Sequence, residues 1–599
     1  MSGFCGILSQ DINSIDTTKF VKSINLTGNL KTKSLFSDDC FFSSSFHEED
    51  PLKGDYLYET EDYIFLFCGD LVNFKSLPWN ILIKNYLINN YEWINSLRGF
   101  FAFAIYNKTN KKLILISDQR SQMPIYYGFI ENQLVFSTNL SSFTILNSSP
   151  GFNMNWLYEL FYFNFPIGNT TFLEGINKLE PFTILELDFN KIISEKKYSK
   201  HLSTIDNFFK GNAAIKKCLD TFKEKVPKYY CDDRTNLFAL SAGFDSRTLL
   251  SLSNKKNNIK TYTYGIEGAN DLKVASSLAS SLKIENQQIL LEDDFKKDLP
   301  NLIYETIRIS GGTQPIIRAT LLYVYKKLFE NKNYEKPIVI SGIGGDLFRG
   351  NGGASFSIIS KGVENYFKTG KIFIDGNLYS QIFKDYSPSF NIYIGGVFDK
   401  INFNSSSKDS LPMLYDCYEV NTKYFGGEVA IALSFMPLRV PYWDLDILNL
   451  AFTTQFGNLT LSGYKNSKRK LSYKKYLLQS VIMNKNQDFS KTLIKGMPIN
   501  IYASNNKLFF KLAKVYIRGY ARLIKGEKLI ENKLEDWNYW FKNVLNNEFK
   551  NLFNDYSLIN QYIKKDFINN SLKTNDIYML NKLASTEIIL RLIKNKWYL

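Results

Sequence analysis

Histidine is almost absent from this sequence: His47 and His201 are the only two, and they accompany six scattered cysteines that form no Cys-x-x-Cys pair. Neither a zinc centre nor a disulfide framework is expected from such a set. No uninterrupted apolar run approaches the ~20 residues of a membrane helix. The opening Met-Ser-Gly-Phe lacks the basic segment and apolar core of a signal peptide. A cytoplasmic protein away from membranes is therefore expected. What the chain does have is length: 599 residues at 45% hydrophobic content are too many for one core and point to two or three domains. Its net charge of +15 comes from 73 Lys and Arg against 58 Asp and Glu. These are dispersed among asparagines and aromatics, which reads as background composition rather than a nucleic-acid surface.

The densest signal lies at 236–248, Asn-Leu-Phe-Ala-Leu-Ser-Ala-Gly-Phe-Asp-Ser-Arg-Thr, where an apolar run breaks into small residues and restarts as Leu249, Leu250 and Leu252. The order reads strand, loop, helix. Backbone N–H groups at such a helix start are unpaired and carry the positive end of the helix dipole. Ala242 is small, and Gly243 lets an anion come close to the backbone. Ser241 and Ser246 add hydroxyl donors, and Asp245 adds a hard oxygen of the kind Mg²⁺ takes when it bridges phosphates. ATP with Mg²⁺ is the expected ligand. With no lysine in the loop, γ-phosphate transfer is not expected, and the stretch is not Gly-x-Gly-x-x-Gly either.

A second break of the same kind occupies 337–350, Pro-Ile-Val-Ile-Ser-Gly-Ile-Gly-Gly-Asp-Leu-Phe-Arg-Gly. Ser341, Gly342 and Gly344 repeat the small-residue turn, and Asp346 ends it on a carboxylate. Asp245 and Asp346 are thus candidate Mg²⁺ ligands. From Arg234 onward, strands expected at 235–240, 259–265 and 288–291 alternate with helices at 245–253 and 271–282, the pattern of a doubly wound α/β sheet. Such sheets bind ligands at the carboxyl ends of their strands, which puts Tyr264 and Gly265 where an adenine would stack. Upstream, β-rich runs at 63–68, 100–106, 112–116 and 134–137, with a helix over 76–91, describe an α+β layered domain.

The loop at 241–246 resembles the Ser-Gly-Gly-x-Asp-Ser pyrophosphate loop of ATP pyrophosphatases. Gly-Asp-Leu-Val-Asn-Phe at 69–74, Leu-Arg-Gly-Phe-Phe-Ala-Phe-Ala at 97–104, Asp118 to Tyr127 and Phe-Ser-Thr-Asn at 136–139 resemble the glutaminase domain of asparagine synthetases. The resemblance implies an N-terminal-nucleophile domain over 1–205, an ATP-pyrophosphatase synthetase domain over 206–500 with an insertion at about 351–414, and a helical extension over 501–599 packed on it. Family members carry a terminal cysteine, an Asn-Gly pair and a substrate-holding Asp, where this chain has Ser2, Cys68-Gly69 and Arg98, and Cys5 falls at a variable position. A silent glutaminase is implied. Pro-Ile-Ile-Arg-Ala-Thr at 315–320 resembles the family's acyl-substrate segment and makes Arg318 a candidate for a substrate carboxylate or phosphate, with a structural salt bridge as the other reading. By the same resemblance Glu428 takes the position of an acidic residue that accepts the proton of the incoming amine. Lys495, in Lys-Gly-Met-Pro at 495–498, takes that of the lysine facing the transition state.

The implied reaction activates a carboxylate as its acyl-adenylate, releases pyrophosphate and passes the acyl group to an amine. Ile343 stands where asparagine synthetases have Glu, and with the silent glutaminase this favours an amine already on the substrate, as in lasso peptide cyclases and β-lactam synthetases. The partners then implied are a small-molecule or peptide substrate carrying both groups, a precursor peptide and a maturation protease, without nucleic acid. Asparagine synthesis and a non-catalytic scaffold stay open. A tRNA-thiolating pyrophosphatase would need paired cysteines near the loop, and none is there.

Overall fold

The computed structural model describes residues 2–9, 12, 16–88, 91–146, 150–199, 208–254, 258–348, 361–372, 374–400, 411–457, 476–490, 493–494, 497–504, 508–509, 511–513, 515–516 and 533–597. The boundary expected near 205 lies outside them.

Twelve strands build the first part: β1 (Gly3–Leu8), β2 (Lys31–Phe36), β3 (Cys40–Phe46), β4 (Leu57–Glu59), β5 (Tyr63–Leu71), β6 (Gly99–Asn107), β7 (Lys112–Ser117), β8 (Tyr126–Ile130), β9 (Gln133–Ser137), β10 (Asn177–Lys178), β11 (Thr183–Leu187) and β12 (Ile192–Lys197). They form two antiparallel sheets of six, ordered β10-β8-β9-β1-β3-β2 and β12-β11-β7-β6-β5-β4. The runs expected at 63–68, 100–106, 112–116 and 134–137 lie in β5, β6, β7 and β9.

β5 and β6 are buried at almost every position because both faces are covered. One face meets β1 and β3, and the other meets a second core where Phe65, Phe67 and Phe103 pack with Trp79 and Leu82. The helix carrying those last two residues runs Trp79–Leu87, shorter than the 76–91 expected, because a residue before proline avoids helical backbone and so Leu77-Pro78 delays its start. The exposed edges β2 and β12 carry lysines, which discourage a further strand from pairing there.

The second part is a five-stranded parallel sheet of β13 (Thr235–Ala239), β14 (Asn258–Gly265), β15 (Asn286–Leu290), β16 (Ile338–Ile340) and β17 (Leu438–Arg439), ordered β15-β14-β13-β16-β17. The order reverses at β13, so the loops leaving β13 and β16 emerge side by side, with Phe238 and Ile340 in register. That switch point is where an open parallel sheet leaves a crevice at its carboxyl edge.

One apolar cluster runs without interruption from Phe4 and Phe136 in the first part to Leu237 and Ile340 in the second and on to Leu583 near the carboxyl end. The helix Ile577–Lys594 is buried along most of its length, against the helices Met154–Phe163 and Asp293–Ile309. Within the expected insertion, the helices Lys361–Thr369, Gly376–Ile382 and Ser389–Lys400 are described. Phe383 and Phe390 pack on Tyr158, and Tyr158 donates its hydroxyl proton to the Asp385 carbonyl (2.8 Å). The described part of the insertion therefore covers the helix Met154–Phe163 rather than the sheet's carboxyl edge.

Candidate functional site

Both Ser/Gly loops open into one cavity of about 350 Å³, lined by Ser241, Asp245, Ser246, Tyr264, Ser341, Gly342, Gly344, Asp346 and Glu428 among others. The first loop is held by its own hydrogen bonds. The Gly243 N–H donates to Ser241 Oγ (3.1 Å), the Ala242 N–H to Asp271 Oδ1 (2.7 Å), and the buried Arg247 donates through Nε to the Ser241 carbonyl (3.1 Å). Asp271, at the start of the helix Asn270–Leu282, thus positions the loop as well as lining the cavity.

The second loop abuts the first so closely that side chains would not fit. A Cβ on Gly342 would lie 3.0 Å from the Ser246 nitrogen, and one on Gly345 would lie 2.6 Å from the Asp245 carboxylate. Gly344 has φ +86°, and a Cβ there would meet Trp443 at 2.6 Å. The Ile343 N–H closes the turn on Ser341 Oγ (3.2 Å). Asp245 and Asp346 therefore sit on either side of Gly345 at the rim of one cavity.

Two residues hold Asp245, of which Gln479 carries no sequence signal. Gln479 donates through Nε2 to Asp245 Oδ1 (2.6 Å) and to the Gly345 carbonyl (3.1 Å), and the Tyr442 hydroxyl donates to the Asp245 carbonyl (3.1 Å). Among the described residues Ser246 Oγ is buried without a hydrogen-bond partner, and Ser246 lines the cavity, so its hydroxyl is a donor held ready for a ligand's acceptor.

The other expected site residues are placed unevenly. Tyr264 lines the cavity, but Gly265 does not: a Cβ there would meet Leu534, whose carbonyl accepts from the Ile266 N–H (3.0 Å). The segment beginning near 533 thus occupies the flank of Gly265 that was expected to face an adenine. Arg318 is not on the cavity wall but in a half-buried ion pair, with its guanidinium 2.8 Å from Glu428 Oε1 and 3.3 Å from the Tyr424 carbonyl. The residue expected to hold a substrate carboxylate is thus already held by the one expected to take a proton. Burial raises the Glu428 carboxyl above its ordinary range, against the pull of Arg318. Lys495 lies outside the described residues.

The positions matching a glutaminase site are tied to the other half of the chain. The Ser2 N–H and His47 Nε2 both donate to the Leu433 carbonyl (3.3 and 2.9 Å). Arg98 reaches Asp446 (3.3 Å) and Asp444 (3.9 Å), and Asp70, next to Gly69, takes Arg439 of β17 in a two-pronged pair at 2.5 and 3.2 Å. Burial drives the Cys5 and Cys68 thiols well above their usual range, so neither is a ready thiolate. The gap bounded by Asp70, Gly99, Arg439 and Trp443 measures only about 10 Å³. Asp70→Ala would strand the buried Arg439 charge and is expected to cost about 3–5 kcal/mol. Urea unfolding checks this, and an unchanged midpoint would show that the pair does not hold the two parts together.

A family model described as a glutamine amidotransferase domain matches residues 74–199, beginning after Ser2 and Cys68. Glutamine-hydrolysing asparagine synthetase 1 of Bacillus subtilis is 24% identical over 267 residues, covering 41% of this chain and 42% of that protein. A probable asparagine synthetase of Acanthamoeba polyphaga mimivirus is 24% identical over 304 residues, covering 47% of this chain and 53% of that protein. The matched region thus spans about half the length of these relatives or less. A glutamine phosphoribosylpyrophosphate amidotransferase structure from B. subtilis aligns over 58% of this chain and 77% of that one, at 10% identity and a TM-score of 0.24.

Proposed function

We propose that this chain, similar to asparagine synthetases, uses ATP to activate a carboxylate and joins it to an amine that arrives on the substrate. The finer reading is an ATP-pyrophosphatase synthetase domain behind a silent N-terminal-nucleophile domain, acting in macrolactam closure of a peptide as lasso peptide cyclases do. The observation that carries it is the meeting of both Ser/Gly loops, both carboxylates and Glu428 at one cavity, while Ser2, Asp70 and Arg98 are spent on contacts with the other half of the chain.

The Ser246 hydroxyl on the cavity wall suits a phosphate oxygen, and carboxylate oxygens suit Mg²⁺. Asp245 and Asp346 would hold that ion, which when bound neutralises phosphate charge. A substrate carboxylate oxygen attacks the α-phosphorus of ATP, the bond to the β-phosphate oxygen breaks and pyrophosphate leaves. The Ser246 hydroxyl donates to a phosphate oxygen and helps hold it in place as this happens. The amine then attacks the acyl carbon, AMP departs with the acyl oxygen, and Glu428 takes the amine proton. Lys495 is assigned to the charge that develops in both steps.

A second reading, asparagine synthesis, is favoured by the relatives' names, and product analysis separates the two. With ATP and Mg²⁺, a peptide carrying a free amino terminus and an acidic side chain should lose one water while AMP forms. Aspartate with ammonia should give no asparagine. Intact peptide beside newly made asparagine would reverse the order of the two readings. Glutamine should yield no glutamate under either condition, and glutamate appearing at the rate of AMP would overturn the silent glutaminase.

A further inference from the structure

A second cavity, of about 320 Å³, lies between the β8–β10 edge of the first part, the turn at 311–317, the segment 422–430 and the helix Ile577–Lys594. Its walls are mainly apolar, with Trp156, Phe172 and Ile589 among them, yet three lysines line it: Lys178, Lys423 and Lys582. Lys582 is 3% exposed and gives one hydrogen bond, to the Phe161 carbonyl (2.7 Å), with the Tyr578 ring 4.1 Å away. Lys178 faces the cavity from β10. Among the described residues neither Lys178 nor Lys582 is in an ion pair, although Lys423 is matched by Glu419 (2.6 Å).

Two buried amides on the same walls are also incomplete. Among the described residues Gln122 Nε2 has no acceptor and Gln314 Oε1 has no donor, and each residue is at least nine-tenths buried. A buried polar group left unpaired is costly, and here one donor, one acceptor and two amines outside ion pairs share one space of ligand size. A peptide bond offers the matching acceptor and donor, and a carboxylate offers the missing charge.

We propose that this cavity binds an acidic peptide segment, its carboxylate taken by Lys178 and Lys582 and a backbone amide by Gln122 and Gln314. Burial holds Lys582 down at about 7 and Lys178 at about 8, and a bound carboxylate would favour the charged form of both. The cavity adjoins the nucleotide cavity through consecutive residues, with Tyr424 and Gly427 lining the first and Phe425 and Glu428 the second. A peptide seated here would run up to Tyr424, whose carbonyl accepts from Arg318. The site does not depend on the amide-forming reading, since nothing in it requires ATP.

Calorimetric titration without ATP tests it, using acetyl-Phe-Glu-amide and its uncharged partner acetyl-Phe-Gln-amide. The Glu peptide should bind about tenfold more tightly or better, the worth of a charge-assisted hydrogen bond. Lys178→Met and Lys582→Met should each erase that difference while leaving the Gln peptide unaffected. Gln122→Leu should weaken both peptides alike. Lys582→Met leaves the Phe161 carbonyl without its donor, so if that variant fails to fold, Lys178→Met decides. Equal affinity for the two peptides, no binding of either, or a Lys178→Met protein that still prefers Glu would overturn the proposal. Asp245→Asn should bind both peptides as the parent does, so loss of AMP formation and loss of this site are separable results.

Discussion

Asp245→Asn and Asp346→Asn should each leave the fold standing and reduce AMP and pyrophosphate formation by about a hundredfold or more, which is ~3 kcal/mol of transition-state free energy at 1.36 kcal/mol per tenfold. The geometry explains why the fold survives. Asp245 Oδ1 accepts from Gln479 and the Asp245 main-chain carbonyl accepts from Tyr442, and an asparagine carbonyl oxygen can take the same Gln479 proton. The substitution removes the charge and keeps that hydrogen bond. Asp346 sits in the short turn Gly345–Phe348, and its replacement by asparagine changes neither volume nor backbone there. Without either carboxylate the phosphates keep the Ser246 hydroxyl but lose a ligand for the cation that offsets their charge. Raising Mg²⁺ should therefore restore part of the rate, which a folding defect would not allow. If both variants made AMP at the parental rate with unchanged melting, the two carboxylates would have no part in holding the metal.

How much of this is legible in the sequence depends on whether local chemistry or long-range pairing decides. The two Ser/Gly loops are readable because close backbone approach admits few residue types, and the contacts at Gly342 and Gly345 show how little room there is. The strands β5, β6, β7 and β9 are readable because they are apolar runs punctuated by turns. β15 begins earlier than the 288–291 expected, at Asn286-Gln-Gln, because it is a polar, half-exposed edge strand whose pairing with β14 outweighs weak propensity. β10 and β17, of two residues each, leave no pattern at all. The pairing of Arg318 with Glu428 is invisible for another reason: each residue reads sensibly alone, and only the fold brings the helices at 319–330 and 427–432 together. Gln479 has no motif around it, and Leu534 lies in a Lys- and aromatic-rich extension without periodicity. That is why the sequence points Gly265 at an adenine while the fold points it at Leu534.

Glu428→Gln should separate the two half-reactions. Forming the acyl-adenylate needs no base for the amine, so the variant should still exchange labelled pyrophosphate into ATP when given a productive carboxylate, at a rate within a few-fold of the parent. Amide formation should fall by about 10²–10⁴-fold, the usual worth of a general base. The ion pair with Arg318 complicates the substitution in a useful way. A glutamine oxygen can still accept from the guanidinium at the 2.8 Å position, but the half-buried charge on Arg318 then loses its closest carboxylate and is left with the more distant Glu535 and with Tyr424. If Glu428 served merely to neutralise Arg318, the variant would lose stability, and exchange and amide formation would decline together. A proton-accepting role predicts that exchange is retained while the second step is lost. The pH profile adds an independent reading. A base must be ionised to act, and burial raises the Glu428 carboxyl above the ordinary carboxylate range. The acid limb of amide formation should therefore fall at a higher pH than an exposed glutamate would set, and it should be missing from the residual rate of the glutamine variant. An amide rate equal to the parent's across that range would leave Glu428 with a purely structural partnership, and the proton acceptor would have to be sought on the substrate itself.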